Sequence, residues 1–394
     1  MFELNAQDKQ AMIAFLQDMV RIPSYSTQER AMAERLMAEM SRIGFQDVRA
    51  DRIGNVIGRI GPGTGRTLLY NGHMDVVGVG DPATWKHDPF GAEIQNGVLY
   101  GRGASDMKGA LAAMVYAAKL LLDRGVALHG NLYVAGAVQE EPCEGLGMKV
   151  LIEEEGLMPD CVLLGEATNL QISRGQRGRM EIKVVTHGRS CHASAPHLGD
   201  NAIYAAARLV FGVEMLSTQL AEDKFLGAGT LAITHIENMA GSRNVVPDTC
   251  TFYIDRRLTI GETEAKAMAE VQSVLLREAV NARAEVSEYT WTSYTGYQAR
   301  MRAYYPAWTL DRDHPLVQNV SRAIRAELGY RPAIGKWDFS TDGTYTMGVA
   351  GIPTVGFGPG EEKYAHTVDD QIRLGDVERA AQAYARIATE IFES

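Results

Sequence analysis

The chain has 394 residues, 46% hydrophobic and 22% charged, a composition near that of folded soluble proteins and a length that suits two or three domains. Its 39 basic and 49 acidic residues leave a net charge of −10, and no basic cluster stands out, which argues against a nucleic-acid or anionic-membrane surface. No run approaches the ~20 apolar residues of a membrane span and no signal-peptide profile opens the chain, so a cytoplasmic protein acting on a small molecule or short peptide is expected.

Two amphipathic helices come first, one over about 5–20 and one announced by the capping box Ser26-x-x-Glu29 and running to about Ile43, with Gly44 as its stop. Short apolar runs then alternate with helices: TLLYNG (67–72), a helix over 108–123, NLYVAGAVQ (131–139), a helix near 145–155 and DCVLLGE (160–166). This is the rhythm of an α/β sheet. After Gly178 the runs MEIKVVTHG, GTLAITHIE, TCTFYIDRRL and EVSEYTWTSY show partial period-two alternation, with helices near 201–216 and 262–280. The strand-helix-strand-strand-helix-strand order predicts an inserted ferredoxin-like α+β unit over 178–297. Beyond it, helices over 315–328 and 375–392 and the apolar run IPTVGFG (352–358) predict that residues 298–394 return to complete the domain begun by 1–177.

Chemistry-bearing residues follow the buried runs of the first domain. His73 and Asp75 follow TLLYNG, Asp106 precedes a helix, Glu140 and Glu141 end NLYVAGAVQ, Glu166 ends VLLG, and His366 follows IPTVGFGPG. Ligands gather at the carboxyl ends of strands in such sheets, so these groups can converge. Histidines with carboxylates suit Zn²⁺, Co²⁺ or Mn²⁺. One catalytic zinc needs three protein ligands, whereas His73, Asp106, Glu141, Glu166 and His366 supply five, enough for two ions sharing a carboxylate, and Glu140 is left to move protons. Six other histidines, at 87, 129, 187, 197, 235 and 314, stand without such company and carry no assigned role. The four cysteines form no CxxC pair and read as reduced thiols, Cys143 among them as a packing residue. The aromatic stretches 290–297 and 303–308 read first as packing at the hinge between domains, with lining of a substrate pocket as the alternative.

At this point the sequence resembles a family. HMDVV (73–77), GRGASDMKGALAA (101–113), QEEPCEGLG (139–147), GEATN (165–169), RGQRGRMEIKV (174–184), SCHASAP (190–196), SRNVVPD (242–248), FSTDGTYT (339–346) and FGPGEEKYAH (357–366) are similar to the di-zinc M20 metallopeptidases, deacylases and dipeptidases. Within them the chain most resembles the bacterial hydrolases associated with selenium metabolism and purine catabolism. The resemblance implies a mixed-sheet α/β catalytic domain with a lid and dimerisation insert, two metal ions (Zn, with Co or Mn as substitutes) and a homodimer. It pairs His73 with Glu166 on one ion and His366 with Glu141 on the other, bridged by Asp106. It makes Asp75 the carboxylate that orients His73 and Glu140 the general base. His192 becomes a histidine lent to the partner's site, Asn244 a substrate contact, and Arg257, through its spacing from Asp255, the grip for a substrate carboxylate; Arg256 is the competing choice.

The expected activity is hydrolysis of the amide bond of an N-acyl amino acid or short peptide carrying a free carboxylate. An N-carbamoyl-amino-acid amidohydrolase is the alternative within the enzymes. A non-catalytic binding relative would have lost a ligand or Glu140, and none is lost. A serine hydrolase would need a GxSxG elbow, which the sequence lacks.

Overall fold

A computed structural model describes residues 1–393. At its centre the strands Gly130–Ala137, Arg66–His73, Cys161–Leu164 and Thr354–Gly356 lie side by side and parallel. Helices cover both faces of such a sheet, which explains why these runs read as continuously apolar instead of alternating. Antiparallel strands extend both edges. Val56–Ile60 and Gln46–Ala50 lie beyond Gly130–Ala137, while Ile172–Gln176 and Trp308–Thr309 lie beyond Thr354–Gly356. The strand Thr354–Gly356 sits between Cys161–Leu164 and Ile172–Gln176, both far earlier in the chain, so the C-terminal third completes the first sheet.

Helix Gly109–Asp123 is apolar nearly all round, with twelve of its fifteen residues buried. That pattern marks a helix with no free face. It packs between the sheet, helix Ala6–Arg21 and the C-terminal helix Leu374–Glu393, whose alanines at 380, 381, 383, 385 and 388 permit a close approach. No helix among the described residues is long and apolar enough to cross a membrane.

The predicted capping box is absent. Helix Arg30–Ile43 starts directly after Glu29 without a side-chain cap. Ser26 instead donates to Asp75 Oδ2 at 2.7 Å, and Glu29 Oε1 accepts from the backbone N–H groups of Thr27 and Gln139. Tertiary partners claimed both side chains that the local motif offered to the helix.

The second sheet is antiparallel, with Thr230–Asn238, Thr249–Leu258, Gly178–His187 and Ala282–Val286 in that spatial order. With helices Ala202–Ser217 and Glu264–Glu278 it has the ferredoxin-like order, and its buried core is separate from that of the first sheet. The run EVSEYTWTSY is not one strand. It divides between Ala282–Val286 and a hairpin of Glu288–Thr292 with Gln298–Arg302. The hairpin's Tyr289, Tyr294 and Tyr297 pack on the first unit, where Tyr294 donates to the Gly54 carbonyl and Tyr297 to Glu154.

Candidate metal centre

The parallel strands deliver their side chains to one rim. His73 closes its strand, Glu140 and Glu141 follow Gly130–Ala137, Glu166 follows Cys161–Leu164, and His366 comes down from the loop after Thr354–Gly356. Asp106 lies in the turn Ala104–Lys108. Asp370 fixes that turn, its carboxylate accepting from the backbone of Gly103 (2.8 Å) and Ser105 (3.0 Å) and from Arg102 (3.1 Å).

Two clusters of ligand atoms form there, His73–Asp106–Glu166 and Asp106–Glu141–His366, each with its atoms within 4.8 Å of one another. Asp106 belongs to both. Its Oδ1 is 3.0 Å from His73 Nε2 and its Oδ2 is 3.1 Å from His366 Nε2. Glu141 lies 2.9 Å from His366 and Glu166 3.8 Å from His73. Gln139 and His366 both adopt left-handed φ angles of 56° and 60°. Such conformations are uncommon outside glycine and persist where surroundings hold them. At Gln139 the holding contacts are Glu29, which accepts from its N–H, and Tyr289, whose hydroxyl donates to its Oε1.

His73 Nδ1 donates to the backbone carbonyl of Asp75 at 2.9 Å, which leaves Nε2 facing Asp106. The Asp75 carboxylate stands farther from the ring, at 3.8 Å, and accepts instead from the backbone N–H groups of Glu140 (3.1 Å) and Glu141 (3.2 Å). It therefore positions the glutamate pair more directly than the histidine.

Burial pushes the Glu140 and Glu166 carboxyls well above their ordinary range. Burial opposes a charged His73, yet its hydrogen bond to Asp106 and the charges of Glu140 and Glu166 override that and raise it. Hydrogen bonds to Asp106 and then Glu141 push His366 up to about 10. This donor set fits a pair of divalent cations: two imidazoles, three carboxylates, one carboxylate facing both groups, and an excess of buried negative charge that only cations offset.

A cavity of about 300 Å³ opens onto the clusters, lined also by Glu140, Glu144, Arg179, Arg257, Phe339 and Ser340. A larger, more open cavity of about 390 Å³ meets it at Glu362 and holds none of the cluster residues. Between the two candidate arginines the structure separates clearly. Arg256 is fully buried in ion pairs with Glu262 and Glu270, whereas Arg257 lines the cavity, with Asp255 at 2.7 Å. Strand alternation put them on opposite faces. His192 and Asn244 are exposed neighbours, Ala193 N–H bonding the Asn244 carbonyl, and neither lines the cavity.

Sequence reasoning passed over Glu144, Arg179, Asp342 and Asp370, and read Ser26 only as a helix cap. Asp342 accepts from Asn71 Nδ2 at 2.7 Å and from Gly145 N–H at 2.8 Å, tying the loop after the glutamate pair to the strand before His73. Arg179, Glu144 and Asp342 stood inside quoted motifs and could have been singled out; Ser26 carried only the signal of a helix cap, and Asp370 carried no local signal. Cys143 is buried and its thiol is pushed up to about 12 by burial, consistent with packing.

A parallel-centred sheet that gathers a shared carboxylate, two histidines and a free glutamate at one rim defines a metal-binding hydrolase. The chain belongs to peptidase family M20/M25/M40, whose model matches residues 69–390. It is 41% identical over 383 residues to the uncharacterized protein YgeY of Escherichia coli (strain K12), across 97% of this chain and 95% of that protein. It is 31% identical over 392 residues to a succinyl-diaminopimelate desuccinylase of Cereibacter sphaeroides (strain KD131 / KCTC 12085), across 96% and 98%. The M20 family metallo-carboxypeptidase Sso-CP2 from Sulfolobus solfataricus shares the fold with a TM-score of 0.78 at 19% identity, across 99% of this chain and all of that one.

Proposed function

We propose that the protein hydrolyses the amide bond of an N-acyl amino acid or short peptide with a free carboxylate, using two divalent ions, most simply Zn²⁺. The observation that carries this reading is Asp106, whose two oxygens each face a histidine of a different cluster, with Glu140 beside them in the cavity. His73 and Glu166 would hold one ion, Glu141 and His366 the other, and Asp106 both. Ions bound there supply Lewis acidity toward the amide carbonyl and make water a nucleophile at neutral pH.

Glu140 takes the proton from the attacking water at its carboxylate and returns it to the leaving amine nitrogen. Its backbone is held by Asp75, which keeps the base in place. Arg257, steadied by Asp255, pairs with the substrate carboxylate through two parallel N–H donors.

His192 and Asn244 serve the site of a second copy. Their exposure away from their own cavity supports this, as does the apolar surface that the same unit presents, where Tyr204, Phe211 and Met215 stand 68%, 67% and 58% exposed on helix Ala202–Ser217. The strand Thr230–Asn238 is an open sheet edge that a two-fold partner would extend. A screen of N-acetyl, N-succinyl and N-carbamoyl amino acids and dipeptides on metal-reconstituted protein tests the reading. Release of free amino acid from an acylated one supports it; turnover confined to N-carbamoyl compounds replaces it with the ureido-cleaving alternative.

A further inference from the structure

The hairpin of Glu288–Thr292 with Gln298–Arg302 is anchored in one unit and seated on the other. The strands on either side of it, Ala282–Val286 and Tyr304–Tyr305, both pair with Gly178–His187 and so belong to the second sheet. Its tip lies on the first unit, where Arg30 donates to the Tyr294 carbonyl, Thr295 donates to the Arg52 carbonyl at 2.7 Å and the Tyr294 hydroxyl donates to the Gly54 carbonyl at 2.8 Å. The seat is close. A Cβ on Gly54 would stand 2.3 Å from the Tyr294 ring.

Tyr289 reaches deepest, 9% exposed and packed in the core of the first unit. Its hydroxyl donates to Gln139 Oε1 at 3.0 Å, and among the described residues the Gln139 side chain makes no other hydrogen bond, since its Nε2 is without a partner. Gln139 is fully buried, has a φ of 56° and immediately precedes Glu140 and Glu141. The backbone N–H groups of these three residues donate to Glu29 Oε1, Asp75 Oδ1 and Asp75 Oδ2, at 3.1, 3.1 and 3.2 Å. Both carboxylates come from the first unit, so Tyr289 is the member of this set that the second unit supplies. A left-handed glutamine keeps its conformation only while its contacts hold it, and a rotation there swings both glutamates that follow.

We propose that the hairpin is a strap through which the second unit holds the glutamate pair in place, with Tyr289 acting on Gln139 as a positioning residue for Glu140 and Glu141. The seating of the second unit thereby becomes a condition for a correctly aimed Glu140. The kinetic consequence rests on the amide-hydrolase reading; the structural consequence does not.

The test compares Tyr289→Phe, which removes only the hydroxyl, with Tyr297→Phe, which removes a hairpin contact to the first unit at Glu154, away from Gln139. In hydrogen exchange followed by mass spectrometry on the metal-loaded protein, peptides spanning 139–141 should exchange about fivefold faster in Tyr289→Phe, the scale of one hydrogen bond. Peptides of strand Arg66–His73 should keep the wild-type rate, and Tyr297→Phe should match wild type throughout. On a hydrolysed substrate Tyr289→Phe should lower kcat by about fivefold with KM and metal content unchanged. Gln139→Asn tolerates the left-handed φ but is too short to reach Tyr289, so adding Tyr289→Phe to it should cost nothing more. A kcat within twofold of wild type, a loss of the same size in Tyr297→Phe, or a loss that persists in the Gln139→Asn background overturns the inference. If acylated amino acids are hydrolysed and Tyr289→Phe matches wild type in both exchange and kcat, the strap falls alone. If exchange responds to Tyr289→Phe only, yet no acylated amino acid is hydrolysed, the amide reading falls and the strap stands.

Discussion

The rim of the first sheet and the exposed loops of the second unit solve the placement of polar groups in opposite ways. At the rim, His73, Asp75, Glu140 and Glu166 are buried and each is held by named contacts within the chain. In the second unit His192 is exposed and among the described residues its Nδ1 meets only Ser194, two residues on, and Asn244 is exposed as well. Buried polar groups must find partners inside the fold, so a set of them converging at strand ends declares a site. Exposed groups are satisfied by water, and their purpose depends on what arrives from outside.

The largest effect falls on the rim. Chelation should abolish activity, and Zn²⁺, Co²⁺ or Mn²⁺ should restore it. Asp106→Asn should reduce the metal content measured by elemental analysis, because both clusters share that residue. Full activity of metal-free protein would break the reading of the rim.

Next comes Glu140. Glu140→Ala should lower kcat by about 10²- to 10⁴-fold, the usual contribution of a positioned acid-base group, while both ions stay bound. A variant that loses metal and regains activity on reconstitution would make Glu140 a ligand and exchange its role with Glu141.

His192→Ala sharpens the comparison from the other side, with an expected loss of about 10²- to 10³-fold, the scale of one donor to a developing oxyanion. Subunit exchange between His192→Ala and Glu140→Ala chains should restore activity, since one site of the mixed dimer is then intact. Proven heterodimers that stay inactive would return His192 to its own chain or to the surface.

The adjacent arginines give a smaller but cleaner contrast. Arg257→Lys should lower kcat/KM by roughly 10- to 100-fold, the scale of a charged hydrogen bond, with little change in Tm. Arg256→Met should do the reverse, since it leaves Glu262 buried without its partner, a loss of about 3 to 5 kcal/mol in stability. If the two variants exchanged these signatures in kinetics and thermal denaturation, the assignment of faces would be wrong. Smallest of all, Ser26→Ala removes one hydrogen bond to Asp75, about 1 kcal/mol or roughly fivefold in kcat, read against wild-type metal content.

The sequence by itself determined the α/β class, the ferredoxin-like order of the second unit and the gathering of His73, Asp106, Glu141, Glu166 and His366. Each of these follows from a period of two or 3.6 residues, or from the rule that parallel strands present ligands at one end. Tertiary structure alone decided what those rules do not encode. Ser26 and Glu29 have the spacing of a helix cap, yet Asp75 and Gln139, brought close by the sheet, outcompete the helix for them. Asp370 grips the Asp106 turn from 264 residues away, and Glu144 meets Arg179 across the two sheets. A side chain's partner is chosen by whichever donor or acceptor the packed chain places within about 3 Å, and for these residues the choice is long-range.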